Sequence, residues 1–450
     1  MKLLYVIPEY PPQSGGGIGT FYSQFLPEIV ELGHQVTVLI ANPFAAEFDS
    51  FSDGGLRVAS VSQAAIAGYL PKFDHYGAMP ELQRVLATAW AAWDWGQGGQ
   101  GFDLVETTDW GLPFVPWILR DESPPTLVQL HGSMGQIDAH DPQIDKQVQG
   151  NLVRFMEIGC FALADALQAN SPSNAHYWAD LTGRSVDYLP PAFRLPQTHG
   201  QVFSGGKGGL VVGRIQQWKG PEILCQALAL EASAPKARSD HSPMQLQWIG
   251  RDTVFKQLDH SLSDYLRQRY PQIWSQQVQL LGALPTQRTR QYQQQADFIL
   301  VPSQWDVLNF AAIEGMAYGK PVLCSEGAGA AHLIEDGING IRFAAEDPQA
   351  LREALDRLEA LTSAQRQQMG AAARNTVRDR LNPRRVAQDR VQVYAEILQQ
   401  GRWPLRPHDW LCKALSPHPS EGHPLAFLDY LPLKQLGRYV MQRSLQKLTR

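Results

Sequence analysis

Two carboxylates stand eight positions apart in the segment Asp306-Val-Leu-Asn-Phe-Ala-Ala-Ile-Glu314. The run Ile299-Leu-Val-Pro-Ser303 before them reads as a buried strand passing into a loop. Gly315-Met-Ala-Tyr-Gly-Lys-Pro-Val322 after them reads as the rest of a helix, closed by Gly319 and followed by another strand. Asp306 therefore falls at the carboxyl end of a strand, and Glu314 lies inside the helix that follows. In an open α/β sheet that crevice is where ligands bind. Backbone N–H groups at the helix start, near Asn309 to Ala311, can hold phosphate or sugar oxygens. An acid on either side can then accept hydrogen bonds from hydroxyls flanking the phosphates, the arrangement a sugar nucleotide presents. A capping acid followed by an ordinary helical Glu would show the same spacing, so the pair alone leaves both readings open.

Other residues carry compatible chemistry. Leu210-Val-Val-Gly-Arg214 ends a strand in a cation, and Lys219-Gly220 follows five positions later at a helix start. Both side chains can reach a diphosphate and offset the charge that grows on a leaving nucleotide; a strand-end Arg in a surface salt bridge is the alternative. His131 closes the strand Leu127-Val-Gln-Leu130, where its imidazole can hydrogen-bond a sugar and orient an acceptor; a lone His is also often structural. Glu106, in Val105-Glu-Thr-Thr-Asp109, is read at a strand end and is a candidate acceptor contact, or equally a capping acid. Gly16 and Gly17, in Gly15-Gly-Gly-Ile-Gly19, permit close backbone approach to a donor phosphate or acceptor. They form no dinucleotide fingerprint, because Thr20 stands where the third glycine belongs and no acid ends the next strand at Ala41-Asn-Pro43. The Gly-Lys-Ser/Thr of a P-loop is also missing there.

These stations, in this order, resemble the retaining glycosyltransferases of the GT-B fold, the large group with an E-x7-E motif that includes sucrose-phosphate synthases and bacterial mannosyl- and glucosyltransferases. Asp306 to Glu314 resembles that motif, His131-Gly132 its His-Gly, and Arg214 with Lys219-Gly220 its Gly-Arg…Lys-Gly pair. The resemblance spans positions 3 to 342. Two departures are visible: Asp replaces the usual first Glu, and Val307-Leu308-Asn309 replaces Pro-Phe-Gly. Asn tolerates a left-handed backbone, so Asn309 can still expose the needed N–H groups.

The resemblance implies two Rossmann-like doubly wound α/β domains facing a cleft. It also implies hexose transfer from a UDP- or GDP-sugar to a sugar, lipid-linked or small-molecule acceptor, with retention of configuration. In it Arg214, Lys219, Asp306 and His131 act in catalysis, with Asp306 on the transferred sugar and Glu314 on the ribose hydroxyls. Gly16, Gly17, Leu284, Leu308, Asn309 and Phe310 join them in holding the donor. The loop Leu281-Gly-Ala-Leu284 resembles the place where backbone groups read the base. The sequence holds no Asp-x-Asp, so no metal or other cofactor is expected, the two cations taking the metal's place. A non-catalytic nucleotide-sugar-binding relative and an NAD-linked oxidoreductase are the competing readings.

Bulk properties set the frame. The 450 residues suffice for two or three domains, each with its own core. A net charge of −5 and 18% charged residues give no support to a nucleic-acid partner. Cys160, Cys225, Cys324 and Cys412 are far apart and form neither a metal cluster nor a disulfide framework, which fits a reducing cytoplasm. The apolar start is ended by Pro8 and Glu9, too early for a signal peptide, and no stretch nears the ~20 apolar residues of a membrane span.

Alternating strands and helices place a first domain at 1–195 and a second at 205–383. Strands are expected at Lys2–Ile7, Gln35–Ala41, Leu104–Glu106 and Thr126–Leu130, then at Leu210–Val212, Leu246–Ile249, Val278–Leu281, Phe298–Val301 and Pro321–Ser325. Helices are expected at Gly19–Gly33 and Glu157–Leu163, with a flexible Gly-rich linker at Ser204–Gly209 and a surface insertion at Glu231–Pro243. Residues 384–400 have helical spacing and, by the resemblance, cross back to the first domain. The extension 401–450 matches nothing. Its end, Leu433–Arg450, carries five cations and no acid, with Leu436, Tyr439, Val440 and Leu448 on one helical face. Such a helix suits anionic lipid, or else docks on the protein with its basic side solvated.

Overall fold

A computed structural model describes residues 1–13, 16–141, 148–196, 208–232, 244–255, 260–418 and 433–448. The expected linker residues 204–207 and insertion residues 233–243 lie outside these. The first sheet has eight strands in the order Phe51–Asp53, Leu56–Ser60, Gln35–Ile40, Lys2–Ile7, Leu104–Thr108, Thr126–Leu130, Ala166–Ala169, Asp187–Tyr188. All pairings are parallel except the edge pair Phe51–Asp53 with Leu56–Ser60. The second sheet is parallel throughout, in the order Val278–Gly282, Leu246–Ile249, Gly209–Val212, Phe298–Val301, Val322–Ser325, Ile341–Phe343.

Burial explains the strand sequences. Leu3 to Ile7 are all buried, as a central parallel strand covered on both faces requires, so its sequence is a continuous apolar run. The helix Gly17–Glu31 lays Phe21, Tyr22, Phe25, Leu26 and Ile29 against that sheet. The helix Pro383–Gln400 returns to pack on Gly17–Glu31 and joins the same core through Val386, Ala387, Tyr394 and Ile397. Their spacing also buries Arg390, which is wholly inaccessible.

Each sheet reverses strand order at one point, and the chemistry gathers there. In the first sheet the reversal lies between Lys2–Ile7 and Leu104–Thr108; in the second, between Gly209–Val212 and Phe298–Val301. The extension is partly structural. Leu411, Ala414 and Leu415 are buried in the first domain's core, and the Trp90 indole N–H donates to the Leu415 carbonyl at 2.8 Å. The tail helix Leu433–Leu448 is different: from Lys434 to Leu448 every residue but Leu436 is exposed. No described helix is long and apolar enough to cross a membrane.

Candidate functional site

The second domain supplies an acid, two cations and a helix start. Asp306 is anchored through its backbone, its N–H donating to Gly327 O at 2.9 Å and its carbonyl accepting from Gly329 N at 2.8 Å. Its carboxylate meets the Lys219 ammonium and accepts from the Asn309 amide at 2.9 Å. Lys219 is set by the turn Gln217–Lys219, and Gly220 behind it has φ +77°, with Pro302 O 1.9 Å from where a Cβ would sit. Only glycine fits there, which explains the Lys-Gly pair. Arg214 projects, exposed, from the loop after Gly209–Val212.

Asn309 has φ +79°, the left-handed conformation expected of it, and precedes the helix Phe310–Ala317. Its side chain turns to Asp306 instead of capping that helix, which leaves the first helical amides without a cap from it. Glu314 accepts from the Gln293 amide at 2.5 Å, and burial raises its pKa, with Gln293 and Arg290 pulling the other way. Leu284 follows the strand Val278–Gly282 and is half-buried.

The first domain supplies His131. Its backbone N–H and that of Gly132 donate to the two oxygens of Asp109, each at 2.9 Å. Asp109 is fully buried, and burial lifts its pKa to about 7 against those donors. The ring packs edge-on to Phe21 and Tyr22 at 4.7 and 5.6 Å, and its Nδ1 lies 3.0 Å from the Asn170 amide nitrogen. Its Nε2 is buried with no hydrogen-bond partner among the described residues. Burial, helped by the Arg390 charge, lowers the ring's pKa to about 3, so it is neutral. Glu157 anchors the next turn, accepting from Ser133 Oγ at 2.7 Å, and burial lifts its pKa to about 8.

The two domains meet at this place. Ser171 Oγ donates to Val307 O at 2.6 Å, and a Cβ on Gly17 would stand 4.0 Å from the Phe310 ring. His140 stacks on Trp305 with ring centres 4.2 Å apart and planes 6° apart. At Gly16 it is Glu9 that requires a glycine. A Cβ there would stand 2.6 Å from Glu9 Oε1, the atom that accepts from Gly19 N at 2.9 Å.

Glu106 requires a correction. The strand runs on to Thr108, which puts Glu106 inside the sheet with no exposed surface. It is paired with Arg390 at 2.7 Å and accepts from the Tyr394 hydroxyl at 2.5 Å, so it contacts no acceptor. Asn170, Arg390, His140 and Trp305 were not found by sequence reasoning; each is defined by a partner remote in the chain. A cavity of about 400 Å³ beside His332, Arg342 and Arg380 shares none of these residues.

Paired parallel sheets meeting at their carboxyl ends, with cations and a helix start on one side and a buried imidazole on the other, define a two-domain transferase scaffold of the GT-B class. The family models agree: residues 204–376 match Glycosyl transferases group 1, and residues 16–191 match the Glycosyl transferase 4-like domain. Residues 204–376 thus belong to the group 1 glycosyltransferases, and residues 16–191 to the glycosyl transferase 4-like domains.

Among its relatives, a D-inositol 3-phosphate glycosyltransferase of Corynebacterium diphtheriae is 26% identical over 289 residues, 60% of this chain and 66% of that one. The protein of the same description in Thermobifida fusca is 24% identical over 404 residues, 82% of this chain and 86% of that one. The chain thus spans just under two thirds of the first relative's length. Sucrose-phosphate synthase from Thermosynechococcus elongatus superposes with TM-score 0.69 at 19% identity, over 89% of this chain and 100% of that one. HepE of Anabaena, solved with UDP and glucose, gives TM-score 0.59 at 18% identity, over 88% and 100%. At such identities the structures speak for the fold.

Proposed function

We propose that the chain transfers a hexose from a UDP- or GDP-sugar to an acceptor, with retention of configuration and without a metal. The observation that carries this is the cluster Lys219–Asp306–Asn309 at the second sheet's switch point, beside uncapped helical amides and across from His131. The helical amides and Lys219, with Arg214, take the diphosphate. Asp306 accepts from hydroxyls of the transferred sugar, and Glu314 from those of the ribose. HepE, a likeness at the level of fold, was solved with UDP-glucose.

In the reaction the bond from the anomeric carbon to the phosphate oxygen breaks while the acceptor oxygen bonds the same face. The acceptor's proton passes to the departing phosphate oxygen, and the two cations stabilise its charge. A double displacement would need a carboxylate free to attack, as in retaining glycosidases. Asp109, the acid nearest His131 in its hydrogen bonding, is fully buried with both oxygens engaged by backbone N–H groups. Inositol 3-phosphate is the first acceptor to try, on the strength of the relatives' descriptions. Release of UDP or GDP from a panel of nucleotide sugars tests the donor reading; a protein that neither binds nor turns over any of them would refute it.

We further propose contact with the inner face of a membrane in the cytoplasm through Leu433–Arg450. Tyr439, Val440, Met441 and Leu448 are exposed on that helix, alongside Lys434, Arg438, Arg443 and Lys447. Co-sedimentation with vesicles rich in anionic lipid, abolished by removing residues 433–450, is the expected result. Equal binding by the truncated chain would refute it.

A further inference from the structure

A file of buried side chains runs from the returning helix to His131. The Arg390 guanidinium donates to Gln129 Oε1 at 2.8 Å. The Gln129 amide nitrogen donates to Asn170 Oδ1 at 2.8 Å and to the Gln168 carbonyl at 3.1 Å. The Asn170 amide nitrogen meets His131 Nδ1 at 3.0 Å. Arg390, Gln129 and Asn170 are all at most 2% exposed.

The direction of every bond follows from the first. A guanidinium has only donors, so Gln129 must turn its oxygen to Arg390. A backbone carbonyl only accepts, so the Gln129 amide nitrogen must face Gln168, as it does. Asn170 then has to offer its oxygen to Gln129, which leaves its NH₂ for His131. Nδ1 must accept, and in a neutral imidazole the proton then sits on Nε2.

We propose that Arg390, acting through Gln129 and Asn170, holds His131 as the Nε2–H tautomer, so that the ring donates a hydrogen bond to an oxygen of the transferred sugar and does not serve as a base. The role at the sugar rests on the transferase reading above; the tautomer does not. Among the described residues, Nε2 is the ring atom left without a protein partner. Arg390 is itself fixed by Glu106 and stands over the Phe21 and Phe25 rings at 5.2 and 4.5 Å, so the head of the file cannot rotate away. Arg390, Gln129 and Asn170 are positioning residues. They give the returning helix a chemical part in the site as well as a packing one.

The test is long-range proton–nitrogen NMR of the full chain labelled at its histidine ring nitrogens, with His131 assigned from the His131→Gln spectrum. The wild-type ring should carry its proton on Nε2. Asn170→Asp swaps a donor for an acceptor at one atom and should move the proton to Nδ1; Gln129→Glu should do the same by reversing the file, and serves if the first variant folds poorly. In Asn170→Asp, kcat should fall by about 10²-fold, with nucleotide affinity unchanged because the nucleotide's residues lie in the other domain. A wild-type proton on Nδ1, or a proton that stays on Nε2 in both variants, would overturn the tautomer assignment. A relocated proton with normal kcat would overturn the donor role. An Nε2–H ring in a protein without transfer activity would refute the proposed function and leave the file standing.

Discussion

Glu106 and Arg390 form an ion pair at 2.7 Å with neither side chain exposed. At an effective dielectric of about 20, unit charges about 4 Å apart attract by about 4 kcal/mol. Removing one partner forfeits that attraction and leaves the other charge buried, a loss of about 3–5 kcal/mol. Tyr394 cannot make up the difference for Glu106, since one hydrogen bond to a charged group contributes only about 1.5–3 kcal/mol and is already made. Removing both charges is another matter, because apolar side chains of similar volume often fill such a site at little cost. Urea unfolding of Glu106→Gln, Arg390→Met and the Glu106→Met/Arg390→Met pair, followed by first-domain tryptophan fluorescence, measures this. Each single change should cost about 3–5 kcal/mol and the double no more than the worse single. Single costs that simply add in the double would refute the coupling. The double variant, though folded, should still lose turnover, because the file to His131 has lost its head.

Four further outcomes follow from the same geometry. Lys219→Ala and Arg214→Ala should each lower kcat by about 10²–10³-fold in a nucleotide-release assay while thermal stability changes little; turnover within threefold of wild type in both would remove them from the site. Asn309→Gly should keep donor affinity, whereas Asn309→Val should weaken it, because φ is +79° there and a β-branched residue resists it; calorimetric titration with UDP or GDP separates them. Asp109 and Glu157 have pKa values lifted by burial to about 7 and about 8, so the folded state holds their protons more tightly than the unfolded chain. Their stabilising effect is complete below pH 4 and is lost as pH rises through 7 and 8, and Asp109→Asn should flatten that decline in melting temperature; an unchanged slope would contradict it. Small-angle scattering should show the radius of gyration fall on nucleotide binding towards that of this joined state, in which Ser171 meets Val307; an unchanged profile at saturating nucleotide would contradict closure.

Much of the scaffold was legible because both sheets are buried on two faces. Lys2–Ile7, Thr126–Leu130 and Phe298–Val301 are near-continuous apolar runs and were read at their observed bounds. Asn309 could be read as left-handed because few other residues sit there easily. Glu106 was misread for a local reason: the strand was stopped at the acid, while Thr107 and Thr108 carry it on and bury the carboxylate. Arg390 was illegible for a different one. It shares a helix with Arg384 and Arg385, which are exposed, and nothing in residue type separates the one that faces the core. The short strand Ala166–Ala169, which delivers Asn170 to His131, shows no periodicity long enough to detect. Cross-domain pairs such as His140 with Trp305 depend on how two units meet, which local pattern does not encode.

The central claim is that Lys219, Arg214 and Asp306 hold an activated sugar whose configuration survives transfer. Proton NMR of reactions supplied with α-linked UDP- and GDP-hexoses, with inositol 3-phosphate among the acceptors and a chelator present throughout, measures it directly. The account predicts one productive donor, an α-linked product unaffected by the chelator, and loss of that product in Lys219→Ala. A β-linked product, or α-linked product formed equally well by Lys219→Ala, would contradict it.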